Sequence, residues 1–220
     1  MYIIIVGAGA IGTNLIEIAV KDKNDVVVIE RDPQRAEEIS RSYDVMVVQA
    51  DAANAEALKE ARAERADALI ATTRDDATNL MVIFLGKEYG IPSLVSVVNN
   101  KEHNVLFRQL GATVMENPEE IVAEYLYNAI KRPRIRDLIT LSGGTQVFKA
   151  VITEKSPLVG RSLRESGQAG RIPKNTLIVA IERDGKTIIP FGNTVIQAGD
   201  LITVFTSGRA TDELVKKLTG

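Results

Sequence analysis

The sequence contains no cysteine and only one histidine, His103. Without cysteine the chain forms no disulfide and performs no thiolate chemistry, a composition typical of a reducing interior. A single imidazole also leaves no histidine and cysteine cluster with metal-ligand spacing. His103 lies at the start of a predicted helix, and we interpret it as a solvated surface histidine.

Long apolar runs and clusters of basic residues are also missing. No run approaches the roughly 20 apolar residues that span a bilayer, and the first predicted strand begins at residue 2, which leaves no room for a signal peptide. We therefore expect a cytoplasmic protein. Lysine and arginine occur in groups no larger than a pair, and the formal net charge is −2. We expect no nucleic-acid partner, because neutralising phosphates needs concentrated positive charge.

Short apolar runs alternate with helical patterns over residues 2–132. Runs this continuously apolar are typical of strands buried on both faces, as in a parallel sheet covered by helices. Asp32 and Pro33 predict a helix start, as N-cap and first helical residue, and Gly111 predicts a helix end. The predicted fold class is α/β, a Rossmann-like doubly wound parallel sheet of six strands.

A predicted helix over residues 118–131 ends at "KRP", where the composition changes. We place the domain boundary there. Residues 1–132 then form a nucleotide-binding domain that includes the helix, and residues 135–220 form a second domain.

Apolar runs such as "TLIVAIE" and "DLITVFTS" predict strands in the second domain. Asp184-Gly185 between two of these runs is a strong hairpin signal. Short helices are predicted over residues 160–166 and 209–218. The second domain is therefore expected to be a small α+β unit.

Residues 7–12 read "GAGAIG", a G-x-G-x-x-G motif that follows an apolar strand and opens an amphipathic helix. Gly7 permits a tight turn, Gly9 lets the backbone approach a phosphate, and Gly12 lets helix and strand pack closely. Glu30 ends the next predicted strand, at the place of the acid that the motif requires. This context predicts a nucleotide whose phosphates lie at the helix N-terminus.

Glu30 would accept hydrogen bonds from both ribose hydroxyls and repel a 2′-phosphate, which favours NAD or an adenine mononucleotide over NADP. Arg31, next to Glu30 in the sequence, slightly weakens this discrimination against the 2′-phosphate of NADP. Loops at the ends of other strands should line the same crevice. The candidate binding residues in those loops are Asp51, Ala52, Thr72, Thr73 and Asn99, and Asp75 is placed in the same loop as the two threonines.

Purely structural roles for the aspartates in these loops stay open. Asp51 could equally form a turn, and Asp75 or Asp76 could cap a helix, which is the favoured interpretation of Asp76. Thr72 and Thr73 are the more specific signal, because an exposed pair of hydroxyls at a strand end often hydrogen-bonds a nucleotide.

The groups that a dehydrogenase needs beside its nicotinamide are not evident. Such a group is usually histidine, lysine or tyrosine, whereas His103 is interpreted as solvated and Tyr43 and Tyr89 as packing residues. The sequence thus predicts nucleotide binding without chemistry. An NAD-dependent oxidoreductase is the competing interpretation, and a nucleotide-binding scaffold is a third.

Linked motifs along nearly the whole chain include "YIIIVGAGAIGTNL", "VVQADAANAEAL", "ADALIATTRDDATNL", "VVNNKEHNVLFRQLGATVMENPEE" and "SPLVGRSLRES". With these motifs the chain resembles the TrkA-type regulatory proteins of potassium transport, also described as KTN or RCK domains followed by a TrkA-C domain. The resemblance implies a regulatory subunit that is not an enzyme. It implies homodimers that assemble into tetramer or octamer rings under a membrane potassium transporter or channel, at the inner face of the cell membrane. Nucleotide exchange would gate transport by changing the shape of the ring.

The resemblance also implies roles for matching positions. Phosphate would be held by Gly7, Gly9 and Gly12, the ribose by Glu30, and the adenosine side by Asp51 and Thr72 or Thr73. Glu119 matches an acid that in some relatives helps to bind a divalent cation, although a first-turn acid favoured by the helix dipole is an equal alternative. The helix over 118–131 matches the crossover helix that dimer partners exchange.

Two departures bear on the ligand. Some relatives carry arginine between the second and third glycines, where this chain has Ala10 and Ile11, and many carry arginine at the position of Val97. The loss of two phosphate-facing cations shifts the expectation toward NAD or NADH, with ADP, AMP or ATP as alternatives. In some relatives the TrkA-C domain binds a second ligand such as a cyclic dinucleotide, which this sequence does not decide.

Overall fold

A computed structural model describes residues 1–131 and 134–220. The chain divides into two compact units, Met1–Glu120 and Ile121–Gly220. The sequence places the boundary later, after a helix that the structure divides between the units. Arg132 and Pro133 of that predicted boundary lie outside the described residues.

The first unit contains a six-stranded parallel sheet in the order β3-β2-β1-β4-β5-β6. Its strands are β1 (Tyr2–Val6), β2 (Asp25–Glu30), β3 (Met46–Gln49), β4 (Ala68–Ala71), β5 (Ser93–Val98) and β6 (Thr113–Glu116). The helices that begin in this unit are α1 (Ala10–Lys21), α2 (Pro33–Ser42), α3 (Ala55–Glu60), α4 (Asp76–Glu88), α5 (Asn104–Gln109) and α6 (Pro118–Lys131). The predicted Rossmann-like α/β fold is confirmed.

Both faces of this sheet are buried, as the apolar runs predict. On β1, Ile4 belongs to the core cluster that also contains Ile83 of α4. Ile3 and Ile5 belong to the cluster on the other face, together with Ile16 of α1. Full burial of such a side chain stabilises the fold by about 1.5–3 kcal/mol relative to exposure. The sheet therefore forms a firm base for the loops at its edges.

Two local signals at helix ends are confirmed. The side chain of Asp32 accepts hydrogen bonds from the N–H groups of Gln34 and Arg35 at 2.9 and 3.1 Å, and Pro33 is the first residue of α2. Gly111 follows α5 with a φ of +88°, a left-handed conformation that glycine adopts without strain. These signals fix where the loops of the sheet begin and end.

The second unit contains an antiparallel five-stranded sheet in the order β10-β9-β11-β8-β7. Its elements are β7 (Ile135–Thr140), β8 (Gln146–Val151), α7 (Leu163–Gln168), β9 (Thr176–Arg183), β10 (Lys186–Ile188), β11 (Leu201–Thr206) and α8 (Asp212–Thr219). Asp184 and Gly185 join β9 to β10 with φ angles of +51° and +73°, as a tight hairpin turn requires. The predicted small α+β domain is confirmed.

In residues 1–131 and 134–220, no helix has the length and apolar character needed to cross a membrane.

Candidate functional site

A cleft of about 610 Å³ opens in the first unit at the carboxyl ends of β1, β2, β3 and β4. The strand order reverses between β1 and β4, which is where open α/β sheets bind ligands. The predicted site residues that line it are Gly7, Gly9, Ala10, Glu30, Arg31, Asp51, Ala52, Thr72 and Thr73. Most of the predicted set is thus brought together around one cavity.

The β1–α1 turn at the centre of the cleft is built from glycines. Gly7 has a φ of +90°, and its N–H donates to the carbonyl oxygen of Ile29 at 2.9 Å. A Cβ on Gly12 would lie 1.9 Å from the carbonyl oxygen of Gly7, so only glycine allows this approach of α1 to the turn. Gly12 therefore acts by packing and does not itself line the cleft, and neither does Ile11.

Gly9 is the N-cap of α1 and provides no side-chain hydrogen bond to the helix start. The first N–H groups of a helix have no partner within it. A Cβ on Gly9 would meet nothing within 4 Å, so the space beside these groups is open. Such a helix start attracts anions, since its N–H groups and its dipole both favour negative charge.

Glu30 is only 6% exposed and lies between two turns of the cleft. One carboxylate oxygen accepts a hydrogen bond from the N–H of Ala8 at 2.6 Å, and the other accepts from the N–H of Asp32 at 2.9 Å. A carboxylate has about four acceptor sites, so Glu30 retains the capacity to accept from ribose hydroxyls. Its second role, joining the β1–α1 and β2–α2 turns, was not apparent from the sequence.

The two threonines after β4 use their hydroxyl hydrogens within the protein. Thr72 is 8% exposed rather than exposed as expected, and its Oγ1 lies 3.0 Å from the carbonyl oxygens of Val6 and Gly7. Thr73 Oγ1 lies 2.7 Å from Oδ1 of Asn79. The Thr72 hydroxyl thus holds the β4–α4 turn against the glycine turn, whereas the Thr73 hydroxyl joins that turn to α4. Because a hydroxyl has one hydrogen, both groups offer a ligand mainly acceptor lone pairs.

The cap of α4 is Asp75, and the favoured assignment of a cap to Asp76 is wrong. A carboxylate oxygen of Asp75 accepts from the N–H of Thr78 at 3.0 Å and from its hydroxyl, and these bonds lower the pKa of Asp75. Asp51 forms a turn, since its carboxylate accepts from the N–H of Ala53 at 3.0 Å. Both aspartates still line the cleft.

Asp76 instead anchors the loop after β5, and its side chain is 8% exposed. Its carboxylate accepts from the N–H groups of Asn99 and Asn100 at 2.8 and 2.9 Å, and from the Asn99 amide at 2.8 Å. Nδ1 of His103 lies 2.8 Å from the same carboxylate. Burial acts to raise the pKa of Asp76, but these hydrogen bonds outweigh it and the pKa is lowered.

This network changes two interpretations. His103 is not simply solvated, because its ring is held by Asp76. Asn99 does not line the cleft and is tied to Asp76 beside it. The histidine and its partner are 27 positions apart in the chain, so no local pattern could have paired them.

Several further residues line the cleft that no motif of the sequence singles out. They are Ala8, Thr13, Asp32, Arg35, Ala50, Arg74 and Thr78, with Val6 and Ile29 at the base. Their signal was their position in or beside the same four turns as the predicted residues, those that follow β1, β2, β3 and β4. Arg74, for example, stands between Thr73 and Asp75.

Glu119 lies in the first turn of α6 and does not line the cleft. Within the described ranges, no group of three or more histidine, aspartate or glutamate side chains is placed to hold a metal ion. A cation site at Glu119 stays a prediction.

Comparison with known families decides the membership of the chain. The TrkA-N domain family matches residues 3–118, and the TrkA-C domain family matches residues 147–219. The chain belongs to the TrkA family. The resemblance drawn from the sequence motifs is thus confirmed.

Curated relatives carry the same family name. The chain is 30% identical over 220 residues to a Trk system potassium uptake protein TrkA homolog of Methanothermobacter thermautotrophicus, covering 100% of both chains. It is 27% identical over 224 residues to a homolog of Pyrococcus abyssi, covering 98% of this chain and 96% of that one. A homolog of Archaeoglobus fulgidus is 32% identical over 209 residues, and the match covers 93% of this chain but 47% of that relative. These relatives favour a potassium uptake protein over an oxidoreductase.

Solved structures share the fold of this TrkA-family chain. The GsuK Channel superposes with a TM-score of 0.66 at 20% identity, covering 100% of this chain and 39% of that chain. The GsuK channel bound to NAD gives a TM-score of 0.61 at 20% identity with the same coverages. The Shewanella denitrificans Kef CTD in AMP bound form gives 0.51 at 19% identity, covering 60% of this chain and 80% of that one. The chain thus spans about two fifths of the GsuK channel chains.

Proposed function

We propose that the chain is a cytoplasmic, nucleotide-sensing regulatory subunit that gates a separate membrane potassium transporter or channel. Membership of the TrkA family supports the link to potassium uptake. The observation that carries the sensing role is the open start of α1. There Gly9 leaves space beside the first N–H groups of the helix, in the same cleft as Glu30, the proposed ribose acceptor. The role is regulatory and not catalytic.

The ligand that we propose is NAD or NADH, with ADP, AMP or ATP as alternatives. A related fold has been solved with NAD and another with AMP. Backbone N–H groups near Gly9 and Ala10 would bind phosphate, and Glu30 would accept from the ribose hydroxyls. Asp51 and Ala52 line the part of the cleft beyond β3 and would contact the adenosine. A divalent cation near Glu119 belongs to the same proposal.

Gating needs two states that bind the ligand with different affinity. In this proposal two copies of the chain form a homodimer through α6, and this contact changes between the two states. The homodimers assemble further into a tetramer or octamer ring at the inner membrane face. The support is an apolar surface on this helix whose residues are between 53% and 82% exposed. They are Ile121, Val122, Tyr125, Leu126, Tyr127 and Ile130. Exposed apolar patches of this kind mark interaction sites.

The first experiment is thermal melting of the purified full chain with NAD, NADH, NADP, AMP, ADP and ATP, with and without Mg²⁺. A ligand at about 100 times its dissociation constant stabilises the protein by about 2.7 kcal/mol, which raises Tm by several degrees. We expect NAD and NADH to raise Tm and NADP to do so much less. No shift with any nucleotide, together with a monomer in light scattering, would refute the proposal. Steady NADH oxidation with a small carbonyl substrate would instead favour the oxidoreductase.

A further inference from the structure

The cleft contains three arginines that are not neutralised by the acids around them. Within the ranges that the structure describes, the guanidinium groups of Arg31, Arg35 and Arg74 make no ion pair or hydrogen bond, and all three residues are exposed. The acids that line the cleft each accept hydrogen bonds from backbone N–H groups. These acids are Glu30, Asp32, Asp51 and Asp75. Three cations are therefore available to an anionic ligand.

The three arginines lie on two sides of the cleft. Arg31 and Arg35 belong to the β2–α2 turn and its helix, beside the acid that would bind the ribose. Arg74 belongs to the β4–α4 turn on the other side of β1. The hydroxyl of Thr72 holds that turn to the glycine turn, with Oγ1 3.0 Å from the carbonyl oxygen of Gly7. The turn that carries Arg74 is thus held next to the glycine turn, where the proposed phosphate site lies.

The glycine turn itself brings no cation to a phosphate chain. Residues 7–13 contain no basic side chain, so the turn offers only N–H groups and the helix dipole. The strands β2, β1 and β4 are neighbours in that order. With the ribose at Glu30, after β2, the linked phosphates of the ligand would cross the start of α1, after β1, and extend toward the end of β4. The phosphate farthest from the ribose would therefore lie at the turn that carries Arg74.

We propose that Arg74 binds the second phosphate of an adenosine diphosphate group, and so makes the site prefer ligands with a diphosphate over AMP. The inference rests on the proposed function, which requires that this cleft binds an adenine nucleotide. ADP and NAD share the diphosphate chemistry. A guanidinium group suits the role because it forms paired, charge-assisted hydrogen bonds to phosphate oxygens.

The test is isothermal titration of the full chain with AMP, ADP and NAD. We expect R74Q to weaken ADP and NAD binding about tenfold, the loss typical of a charge-assisted hydrogen bond, while AMP binding changes less than twofold. R74K retains the charge and should keep part of the preference. The ratio of ADP affinity to AMP affinity should fall with rising salt in the wild type and change less in R74Q.

Two variants serve as controls. R41Q removes an arginine that pairs with Glu37 on α2 outside the cleft lining, and it should leave all three affinities unchanged. R31Q removes a cation from the ribose side, and it should not reduce the preference for a diphosphate.

An equal effect of R74Q on AMP and ADP would overturn the inference, as would a selective loss in R31Q and not in R74Q. A loss confined to one of ADP and NAD also overturns it, because both carry the diphosphate. If the wild type binds none of the three nucleotides, the proposed function fails and the inference fails with it. If the wild type binds them and R74Q binds them equally well, only the inference fails.

Discussion

At the scale of single residues, the glycines of the β1–α1 turn have two different roles: one is needed for packing of the fold and another leaves space for a ligand. Gly12 is required by the fold, since a Cβ there would collide with the backbone of Gly7. Gly9 is not required by the fold, because its φ of −72° suits any residue and a Cβ there meets open space. The space at Gly9 is therefore best explained by a ligand that approaches the backbone.

This difference gives a matched pair of variants. Gly12→Ala should lower the stability of the ligand-free protein by about 1–3 kcal/mol, the usual cost of overpacking. Gly9→Ala should leave the ligand-free Tm nearly unchanged but reduce the Tm shift that a nucleotide produces. Gly167→Ala, a glycine of α7 with nothing within 4 Å of an added Cβ, is the control for glycine replacement. Full nucleotide binding by Gly9→Ala would argue against phosphate at this turn.

At the scale of elements, three helices begin beside the cleft, and they differ in how their N-termini are capped. The starts of α2 and α4 are capped by the side chains of Asp32 and Asp75, whereas the N-cap of α1 is Gly9, which has no side chain. An aspartate cap satisfies N–H groups and supplies negative charge where the helix dipole favours it. Only the uncapped start among these three leaves its N–H groups for an external anion.

The element-scale link between α4 and the loop after β5 depends on the charge of Asp76. Asp76→Asn should lower stability at neutral pH by about 2 kcal/mol, since several hydrogen bonds lose a charged acceptor. The pKa of Asp76 is depressed in the folded state, so its contribution is present above the ordinary value of 3.8 and is lost as the pH falls through the folded pKa.

Urea unfolding between about pH 6 and pH 3 measures the contribution of Asp76 to the free energy of unfolding. The difference between the midpoints of wild type and Asp76→Asn should shrink as the pH falls. His103→Gln serves as a second variant that keeps the backbone N–H donors. Equal midpoints for wild type and Asp76→Asn at pH 6 would show that the network contributes nothing.

The elements themselves were largely predictable from the sequence, for physical reasons. The apolar runs predicted the parallel strands because both faces of the sheet are buried, and Asp184-Gly185 predicted the hairpin because both residues tolerate positive φ. The cap of α4 was predicted one residue too late, because the choice between Asp75 and Asp76 depends on backbone angles. The partner of His103 and the buried hydroxyl of Thr72 depend on contacts across strands, which no local pattern contains.

At the scale of the whole molecule, we propose that assembly through α6 is the step that couples nucleotide binding to gating. Leu126→Lys places a charge on the apolar surface of this helix and should convert the proposed dimer into a monomer. Glu124→Lys, two positions away on the same helix, adds the same side chain outside the apolar set and should not. Light scattering after size exclusion compares the two molar masses. A monomeric wild type, or dissociation by both variants alike, would contradict this mode of assembly.

The glycine turn also has a consequence for the speed of sensing. Its backbone is already held by Ile29, by the carboxylate of Glu30 and by the hydroxyl of Thr72. A preorganised site loses little conformational entropy when it is filled, and association need not wait for a loop to fold. We therefore expect nucleotide association to be fast, so that release of the bound nucleotide sets how quickly occupancy follows a change in the cellular nucleotide ratio.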